Sequence, residues 1–191
     1  MSNTIRQIDP MDEKAKSACI SIYNRAMEQA LGQAHWDLND QGWVEMFDDA
    51  KWSRLLLSEN ETGALAGFAV ASCYRKGQAI VQLLAVDPDC QSAGVGKALL
   101  GDCARLAESM GCDRLRAYVK AQARQTQGFY RSQKGRIDYA SRELDAYGEL
   151  AHPVDFDPSA LARRRAVAKS NDELGGRQGK LIQAASPRKP S

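Results

Sequence analysis

The chain has 191 residues, 43% of them hydrophobic and 26% charged, which is typical of one soluble domain and short for two. A net charge of +2 gives no argument for a polyanionic partner. This charge is unevenly distributed, because residues 159–191 carry eight Lys or Arg against two Asp or Glu. We therefore expect a folded domain over residues 1–157 and a basic, disordered tail over residues 158–191.

The cysteine and histidine content argues against a disulfide framework and against a metal site. Five cysteines are scattered without a C-x-x-C pair, and only His35 and His152 could supply imidazole. The N-terminus has no apolar stretch of the signal-peptide type, and no run reaches the roughly 18 apolar residues of a membrane span. These features predict a cytoplasmic protein with reduced thiols, no metal and no membrane partner.

The N-terminal half is predicted to contain a strand, two helices and an antiparallel meander. Residues 4–8 have a strand pattern, and residues 12–31 repeat apolar side chains at helical spacing before Gly32. A second helix is predicted from Asp40 to Ala50. Three apolar runs joined by short, turn-like links follow, at residues 53–58, 64–74 and 78–86.

The C-terminal half continues with a helix, a strand and a helix. Apolar residues at helical spacing over 99–110 predict a helix that Gly111 ends, and residues 114–119 alternate as a strand. Residues 121–133 have the composition of a further helix. Because the strand at 114–119 follows a helix, we expect it to lie parallel to the strand at 78–86. The order predicts an α+β (mixed α/β) fold with a central, mostly antiparallel sheet flanked by helices.

A turn with two glycines lies between the third apolar run and the helix after it. Gly94 and Gly96 let backbone N–H groups approach a ligand without a Cβ in the way. The first N–H groups of a helix have no partner within the helix, and such donors suit a phosphate or a pyrophosphate. Lys97 would add a mobile positive charge. The turn is therefore a candidate phosphate-binding site.

Two common glycine-rich phosphate loops do not match this turn. A Walker A loop would require glycine where Gln91 stands and Ser or Thr where Ala98 stands. A dinucleotide-binding fingerprint would require a third glycine where Leu99 stands. From the glycine spacing alone, a turn that uses glycine only to bend is the simpler interpretation.

The residues around the turn extend the pattern. The apolar run ends L-A-V-D-P at residues 84–88, and Q-S-A-G-V-G-K-A-L-L follows at residues 91–100. This segment resembles the acyl-coenzyme A binding segment of the GNAT superfamily of N-acyltransferases, in which V-x-P is followed by Q/R-x-x-G-x-G/A at the start of a helix. The letters G-F-Y at residues 128–130 are similar to the F-Y helix of that family, and the resemblance covers about residues 4–135.

The resemblance implies a splayed sheet and an acyl-donor site at the end of the third apolar run. In such proteins the pantetheine arm lies along the splayed strand and the pyrophosphate lies on amides of the turn, so acetyl-CoA would be the acyl donor. A tyrosine at the position of Tyr130 commonly protonates the departing thiolate, which makes Tyr130 the candidate catalytic residue. The candidate acetyl-CoA-binding residues are Leu84, Ala85, Val86, Gln91, Ser92, Ala93, Gly94, Val95, Gly96 and Lys97.

The chain departs from the family pattern at several points. Ser92 stands where the family often has Arg, and Ala123 stands where it often has Asn. The F-Y-x-x-x-G-F segment is one residue longer here, with Arg136 in place of the final Phe. Beyond it the sequence has only weak strand character, so it gives no firm prediction for the last two strands of the family fold over residues 137–157.

The resemblance implies transfer of an acetyl group from acetyl-CoA to a primary amine by direct attack on the thioester. A lysine-like amine with a pKa of about 10.4 must first lose a proton, which costs about 4.6 kcal/mol at pH 7. The departing thiolate has a pKa near that of cysteine, about 8.5, so protonation by Tyr130 would help only modestly. No residue stands out as the base. Members of the family often use a Glu on the central strand, but the polar residue there is Gln82, whose amide cannot accept a proton, and Asp37, Asp40 and Glu45 are alternatives.

The acceptor amine is expected near the link between the first two predicted helices. In such folds this region often lines the acceptor pocket. Trp36 with Asp37 and Asp40 would suit a cationic amine, and Trp43 would add a second aromatic face. An exposed amphipathic loop and helix is an equally good interpretation. Protein N-termini, lysines, polyamines, aminoglycosides and amino acids all stay open as acceptors.

Other functions are compatible with the sequence. A catalytically silent acyl-CoA binding or regulatory module would agree with the departures from the family pattern and with the missing base. Nucleic-acid binding through the basic tail is not expected to be sequence-specific, because the tail has no aromatic residue on which bases could stack. Dimers are frequent among relatives, so a homodimer is also compatible.

Overall fold

The computed structural model describes residues 4–32, 37–48, 52–75, 77–145 and 149–163. Up to residue 133 its helices and strands follow the predicted order. The strands are β1 (Thr4–Ile8), β2 (Trp52–Glu59), β3 (Leu65–Arg75), β4 (Gln78–Val86), β5 (Arg114–Val119), β6 (Arg136–Ile137), β7 (Glu143–Leu144) and β8 (Leu150–Phe156). The helices are α1 (Glu13–Leu31), α2 (Asp40–Asp48), α3 (Val95–Ser109) and α4 (Arg124–Ser132), and residues 158–163 are also helical.

The strands of the described residues form one open sheet in the order β1-β2-β3-β4-β5-β8-β6, with β7 paired to β8. Neighbouring strands are antiparallel except for β4 and β5, which are parallel, as the helix between them requires. The predicted α+β fold with a mostly antiparallel sheet flanked by helices is therefore confirmed.

β4 and β5 diverge after a short contact. They pair only between residues 78–80 and residues 114–116, and β5 then runs along β8 as far as the pair Val119–His152. From residue 81 to residue 86, β4 pairs with β3 on one side and with no described strand on the other. The sheet therefore opens at the carboxyl end of β4, and the backbone groups of residues 83–86 that face away from β3 have no strand partner.

A β-bulge at Gln82 changes which side chains of β4 face which helices. Val70 of β3 pairs with Leu83, and the next residue, Ala71, pairs with Val81, so Gln82 is the extra residue. Before the bulge, Ala79 and Val81 pack on the α3 side of the sheet. After it, Leu84 and Val86 take that side, whereas Leu83 and Ala85 face α1 and α2. The bulge therefore directs the even-numbered residues at the end of β4 toward α3.

The core has two layers, one on each face of the sheet. On one face, apolar residues of α1 and α2 pack against β2, β3 and β4, with Cys19, Trp43 and Phe68 fully buried. On the other face, α3 packs against the sheet through Leu99, Cys103 and other apolar residues at helical spacing, and the same cluster includes residues of β5, α4 and β8. None of the helices among the described residues has the length and apolarity needed to cross a bilayer.

The C-terminal part of the described chain is more regular than its sequence suggests. β6 and β8 complete the sheet beside β5, and β7 forms a short ladder with β8. The helix at 158–163 begins where the Asp157 carboxylate accepts a hydrogen bond from Ala160 N, and Leu161 and Ala162 are buried. The first residues of the expected tail therefore pack on the domain, and the remainder of the tail lies outside the described residues.

Candidate active site

A cavity of about 390 Å³ lies where β4 ends and α3 begins. Its walls come from the C-terminal half of α1, the last residues of β4, the β4–α3 turn, the start of α3 and α4. Nine of the ten candidate acetyl-CoA-binding residues line it, and Tyr130 lines it as well. Ala93 is exposed and is not part of the lining. The tertiary structure thus brings the turn, the strand end and the candidate catalytic residue to one place.

The β4–α3 turn leaves its amides without acceptors. Gly94 precedes α3 with a φ of 79°, in the left-handed region, and no side chain caps the helix. The first helical bond runs from Ala98 N to Gly94 O at 3.0 Å. Among the described residues, no group accepts a hydrogen bond from the amides of Gly94, Val95, Gly96 or Lys97. α3 therefore presents donors and the positive end of its dipole to the cavity.

Tyr130 lines the cavity and is only 5% exposed. Its ring packs edge-on against Phe156, with ring centres 5.6 Å apart, and at a tilt against Phe129. No described residue hydrogen-bonds to its hydroxyl, and burial raises the pKa of Tyr130 above its ordinary value. The Tyr130 hydroxyl therefore stays protonated in the neutral range and can donate a hydrogen bond to a bound group.

Comparison with known proteins identifies the family of the chain. The protein-family model described as "Acetyltransferase (GNAT) family" matches residues 16–135. The chain belongs to the GNAT family. A curated relative, the mycothiol acetyltransferase of Clavibacter michiganensis subsp. michiganensis (strain NCPPB 382), is 38% identical over 95 residues. Those residues are 50% of this chain and 30% of the relative, so the chain spans less than a third of that protein.

Solved structures of N-acetyltransferases share the fold at low sequence identity. The ribosomal-protein-S18-alanine N-acetyltransferase from Escherichia coli superposes with a TM-score of 0.61 at 20% identity, covering 82% of this chain and 94% of that one. The PaiA N-acetyltransferase from Thermoplasma acidophilum, in complex with coenzyme A, gives a TM-score of 0.62 at 14% identity, covering 82% of this chain and 99% of that one. At these identities the likeness shows the fold alone.

In this GNAT chain, side chains of α1 hold the β4–α3 turn in place. The Asp87 carboxylate, just after β4, accepts a hydrogen bond from the Arg25 guanidinium. Gln91 Nε2 donates to Gln29 Oε1 at 2.8 Å, and Gln125 Nε2 of α4 donates to Gln91 Oε1 at 3.4 Å. Gln91 thus links α1 to α4 across the turn. Sequence reasoning missed Arg25 and Gln29, because nothing in the sequence shows which residues of α1 lie beside the turn.

Gly67, in the interior of β3, allows α3 to start close to the sheet. A Cβ at this position would lie 2.7 Å from the Ala85 carbonyl oxygen and 3.0 Å from a methyl group of Val95. Only glycine fits without movement of backbone, so Gly67 sets how near the first residue of α3 comes to β4. A glycine inside a strand pattern is a sequence signal of such close approach, and it could have identified this residue.

The predicted acceptor residues that the structure describes do not line the cavity. Trp36 lies outside the described residues. Asp37 and Asp40 are exposed and are not part of the lining, and Asp40 Oδ1 is 3.8 Å from Lys16 Nζ. The prediction for Trp43 is wrong: its side chain is fully buried, and its Nε1 donates to the Pro10 carbonyl oxygen at 2.9 Å. α2 turns Trp43 into the core because that face of the helix is its apolar one.

A charged network covers the face of β5 that points away from α3. Arg116 donates to Asp155 through Nε at 2.8 Å and to Glu143 through Nη1 at 3.0 Å. Tyr118 donates to Glu143 Oε2 at 3.0 Å. The hydrogen bond to Asp155 is the main reason why the pKa of Arg116 is raised, and burial is the main reason why the pKa of Tyr118 is raised. These polar groups therefore satisfy one another.

Proposed function

We propose that this chain is an acetyl-CoA-dependent N-acetyltransferase that transfers the acetyl group to a primary amine by direct attack on the thioester. One observation carries the proposal. The first-turn amides of α3 have no acceptor in the described protein, and they face a cavity beside the unpaired edge of β4. Backbone donors at a helix start are suited to a diphosphate, and an unpaired strand edge is suited to the amide groups of a pantetheine arm.

The residues present fit such a donor molecule. Gly94 and Gly96 expose their amides without a side chain, and Lys97 is exposed beside them. Leu84 and Val86 supply apolar walls next to the free backbone groups of β4. Ser92 brings no charge, so binding of the diphosphate relies on backbone amides and on Lys97. Within the described part of the chain, no cluster of His, Cys, Asp or Glu is placed to hold a metal ion.

The chemistry assigns one role to the backbone and one to Tyr130. As the neutral amine attacks, its N–C bond forms, the C–S bond breaks, the amine gives up one proton and the sulfur accepts one. A backbone N–H beside Val86 would donate to the developing oxyanion. The pKa of Tyr130 is raised by burial, whereas the leaving thiol has a pKa of about 8.5. Tyr130 would therefore stabilise the thiolate chiefly by donating a hydrogen bond.

The acceptor is proposed only as a class. One relative is named for mycothiol and another for an alanine of a ribosomal protein, so the family includes more than one kind of acceptor. Asp37 and Asp40 are assigned no part in acceptor binding, since neither lines the cavity. We therefore propose only that the acceptor is a primary amine of a small molecule or a peptide, a class that is compatible with the names of both relatives.

The experiment has two steps. Calorimetry with acetyl-CoA tests binding, and release of free thiol is then measured against a panel of primary amines. We expect binding, followed by turnover with at least one amine. Absence of acetyl-CoA binding would overturn the proposal. Binding without turnover on any amine would favour the alternative, a catalytically silent acyl-CoA binding module.

The Tyr130→Phe variant tests the role of the hydroxyl. We expect kcat to fall about 10- to 100-fold. This loss is no larger than the smallest contribution typical of a general acid, because the thiolate is already a fair leaving group. The dissociation constant of CoA should stay within about twofold. Since burial raises the pKa of Tyr130, any loss of kcat from its ionisation should begin only above about pH 10. An unchanged kcat would remove Tyr130 from the mechanism.

A further inference from the structure

Gln127 is a buried amide in the middle of α4, on the same face as Tyr130. Gln127 is only 7% exposed, and both the nitrogen and the oxygen of its side-chain amide are hydrogen-bonded. Nε2 donates to the Lys120 carbonyl oxygen at 3.1 Å and to the Ala121 carbonyl oxygen at 2.8 Å. Oε1 accepts from the Tyr139 hydroxyl at 3.2 Å. Three hydrogen bonds therefore meet at one side chain, three residues before Tyr130.

These bonds anchor the start of a short helix to the segment before it. α4 has nine residues, and no side chain caps its N-terminus at Ala123. The carbonyl groups of Lys120 and Ala121 belong to the segment that leaves β5, so Gln127 ties the helix to the end of that strand. A short helix without a cap is prone to shift or fray, and an internal side chain that binds the preceding carbonyl groups opposes such movement.

The third bond connects α4 to the turn after β6. Tyr139 lies in that turn, where the Asp138 carboxylate accepts from Ala140 N and Ser141 N, and the His152 ring packs edge-on against the Tyr139 ring. His152 Nδ1 is 3.0 Å from the Ser141 carbonyl oxygen. The turn is therefore itself fixed to β8, and Gln127 lies where β5, α4 and this turn meet.

We propose that Gln127 is a positioning residue that fixes the Tyr130 hydroxyl in the cavity by anchoring α4 to the end of β5 and to the turn at Tyr139. The inference rests on the proposed role of Tyr130 in acetyl transfer. Gln127 does not line the cavity, so it acts on bound molecules only through the helix that it holds. Its loss should displace Tyr130, while the β4–α3 turn keeps its hydrogen bonds to α1 and CoA binding changes little.

The activity test uses Gln127→Met, which keeps the length of the side chain and removes all three bonds. We expect kcat to fall about tenfold with the CoA dissociation constant within twofold, because a small misplacement of a reacting group is costly. In the Tyr130→Phe background the same change should alter kcat less than twofold. Equal losses in both backgrounds would mean that Gln127 acts on the whole fold, and would overturn the proposal. An unchanged kcat in Tyr130→Phe alone would instead overturn the role of Tyr130, and the proposal with it.

Two further variants sharpen the test. Gln122→Met makes the same chemical change at an exposed position before α4, whose side chain does not line the cavity, and should leave kcat unchanged. Tyr139→Phe removes only the bond to Oε1 and should lower kcat two- to threefold, again only when Tyr130 is present. Because Tyr139 is 52% exposed, this variant is expected to fold even if Gln127→Met does not.

A readout independent of turnover is the ¹⁹F spectrum of protein labelled with fluorotyrosine. The chain has six tyrosines, and the resonance of Tyr130 is assigned by its loss in Tyr130→Phe. We expect Gln127→Met or Tyr139→Phe to shift or split that resonance, and Gln122→Met to leave it in place. An unmoved Tyr130 resonance in both Gln127→Met and Tyr139→Phe would overturn the positioning role.

Discussion

The β4–α3 turn and the outer face of β5 use polar groups in opposite ways. At the turn, four successive amides from Gly94 to Lys97 have no acceptor among the described residues. On β5, Arg116 donates to Asp155 and Glu143, and Tyr118 donates to Glu143, so these donors are already engaged. The donors of the turn are available to a ligand, whereas the donors on β5 are already bonded to carboxylates of β7 and β8 and hold these strands together.

The two regions also differ in how they are assembled. The donors of the turn are contiguous in the chain and belong to the backbone, so their function depends on glycine and on the start of a helix. The network on β5 joins residues 25 to 39 positions apart and depends on side chains. Changes at the turn should therefore alter binding more than stability, and changes in the network should alter stability more than binding.

The largest expected effect is the loss of stability in Arg116→Met, which changes the β5 network and leaves the β4–α3 turn intact. It leaves two carboxylates without their shared partner at a half-buried site, which should lower the free energy of unfolding by about 2 kcal/mol. The CoA dissociation constant should not change. Urea denaturation and calorimetry measure the two quantities.

Arg6→Met is the matched control for Arg116→Met. Arg6 pairs with Glu59 at an exposed edge of the sheet, so its loss should lower the free energy of unfolding clearly less than the loss of Arg116 does. Equal losses of stability in the two variants would show that the β5 network is no more than a surface ion pair.

A smaller difference between the two regions is expected when alanine replaces a glycine of the same backbone conformation inside or outside the β4–α3 turn. Gly94 and Gly63 both have a φ of 79°, and a Cβ at either would meet no atom within 4 Å. Alanine at each should cost about 1 kcal/mol of stability, because the left-handed conformation disfavours a Cβ. Only Gly94→Ala should also weaken CoA binding, by about tenfold, since it disturbs the donors of the turn. Equal CoA affinity in Gly94→Ala and Gly63→Ala would contradict the assignment of the turn.

The smallest effect is expected from relief of backbone strain at Ser92. Ser92 and Lys134 are the non-glycine residues of the described chain with positive φ, 66° in each, and both are exposed. Ser92→Gly and Lys134→Gly should each raise the free energy of unfolding by about 0.5 kcal/mol. Glycine releases the backbone strain, but part of this gain is lost because glycine also raises the conformational entropy of the unfolded chain. CoA affinity should change less than twofold in both. Loss of stability in Ser92→Gly alone would show that the serine side chain anchors the turn.

The sequence predicted the donor half of the site and could not predict the other half. The run at 84–88, the glycines and the helix after them form one contiguous pattern, so local reasoning places them correctly. β6 and β7 have two residues each, and β8 contains Pro153, which argues against a strand when read locally. Their pairing depends on β5, which lies beside them only in the folded sheet. The partners of Gln127 could not be predicted either, because they depend on which carbonyl groups and which turn pack beside α4.

By itself the sequence determined the order of elements up to α4, the family resemblance and the position of the glycine turn, because each depends on residues that are neighbours along the chain. Only the tertiary structure decided where β4 leaves β5, that Trp43 is a core residue and that Tyr130 lies in the same cavity as Gly94. Those outcomes depend on which faces of helices and strands meet, and that is set by packing between segments far apart in the chain.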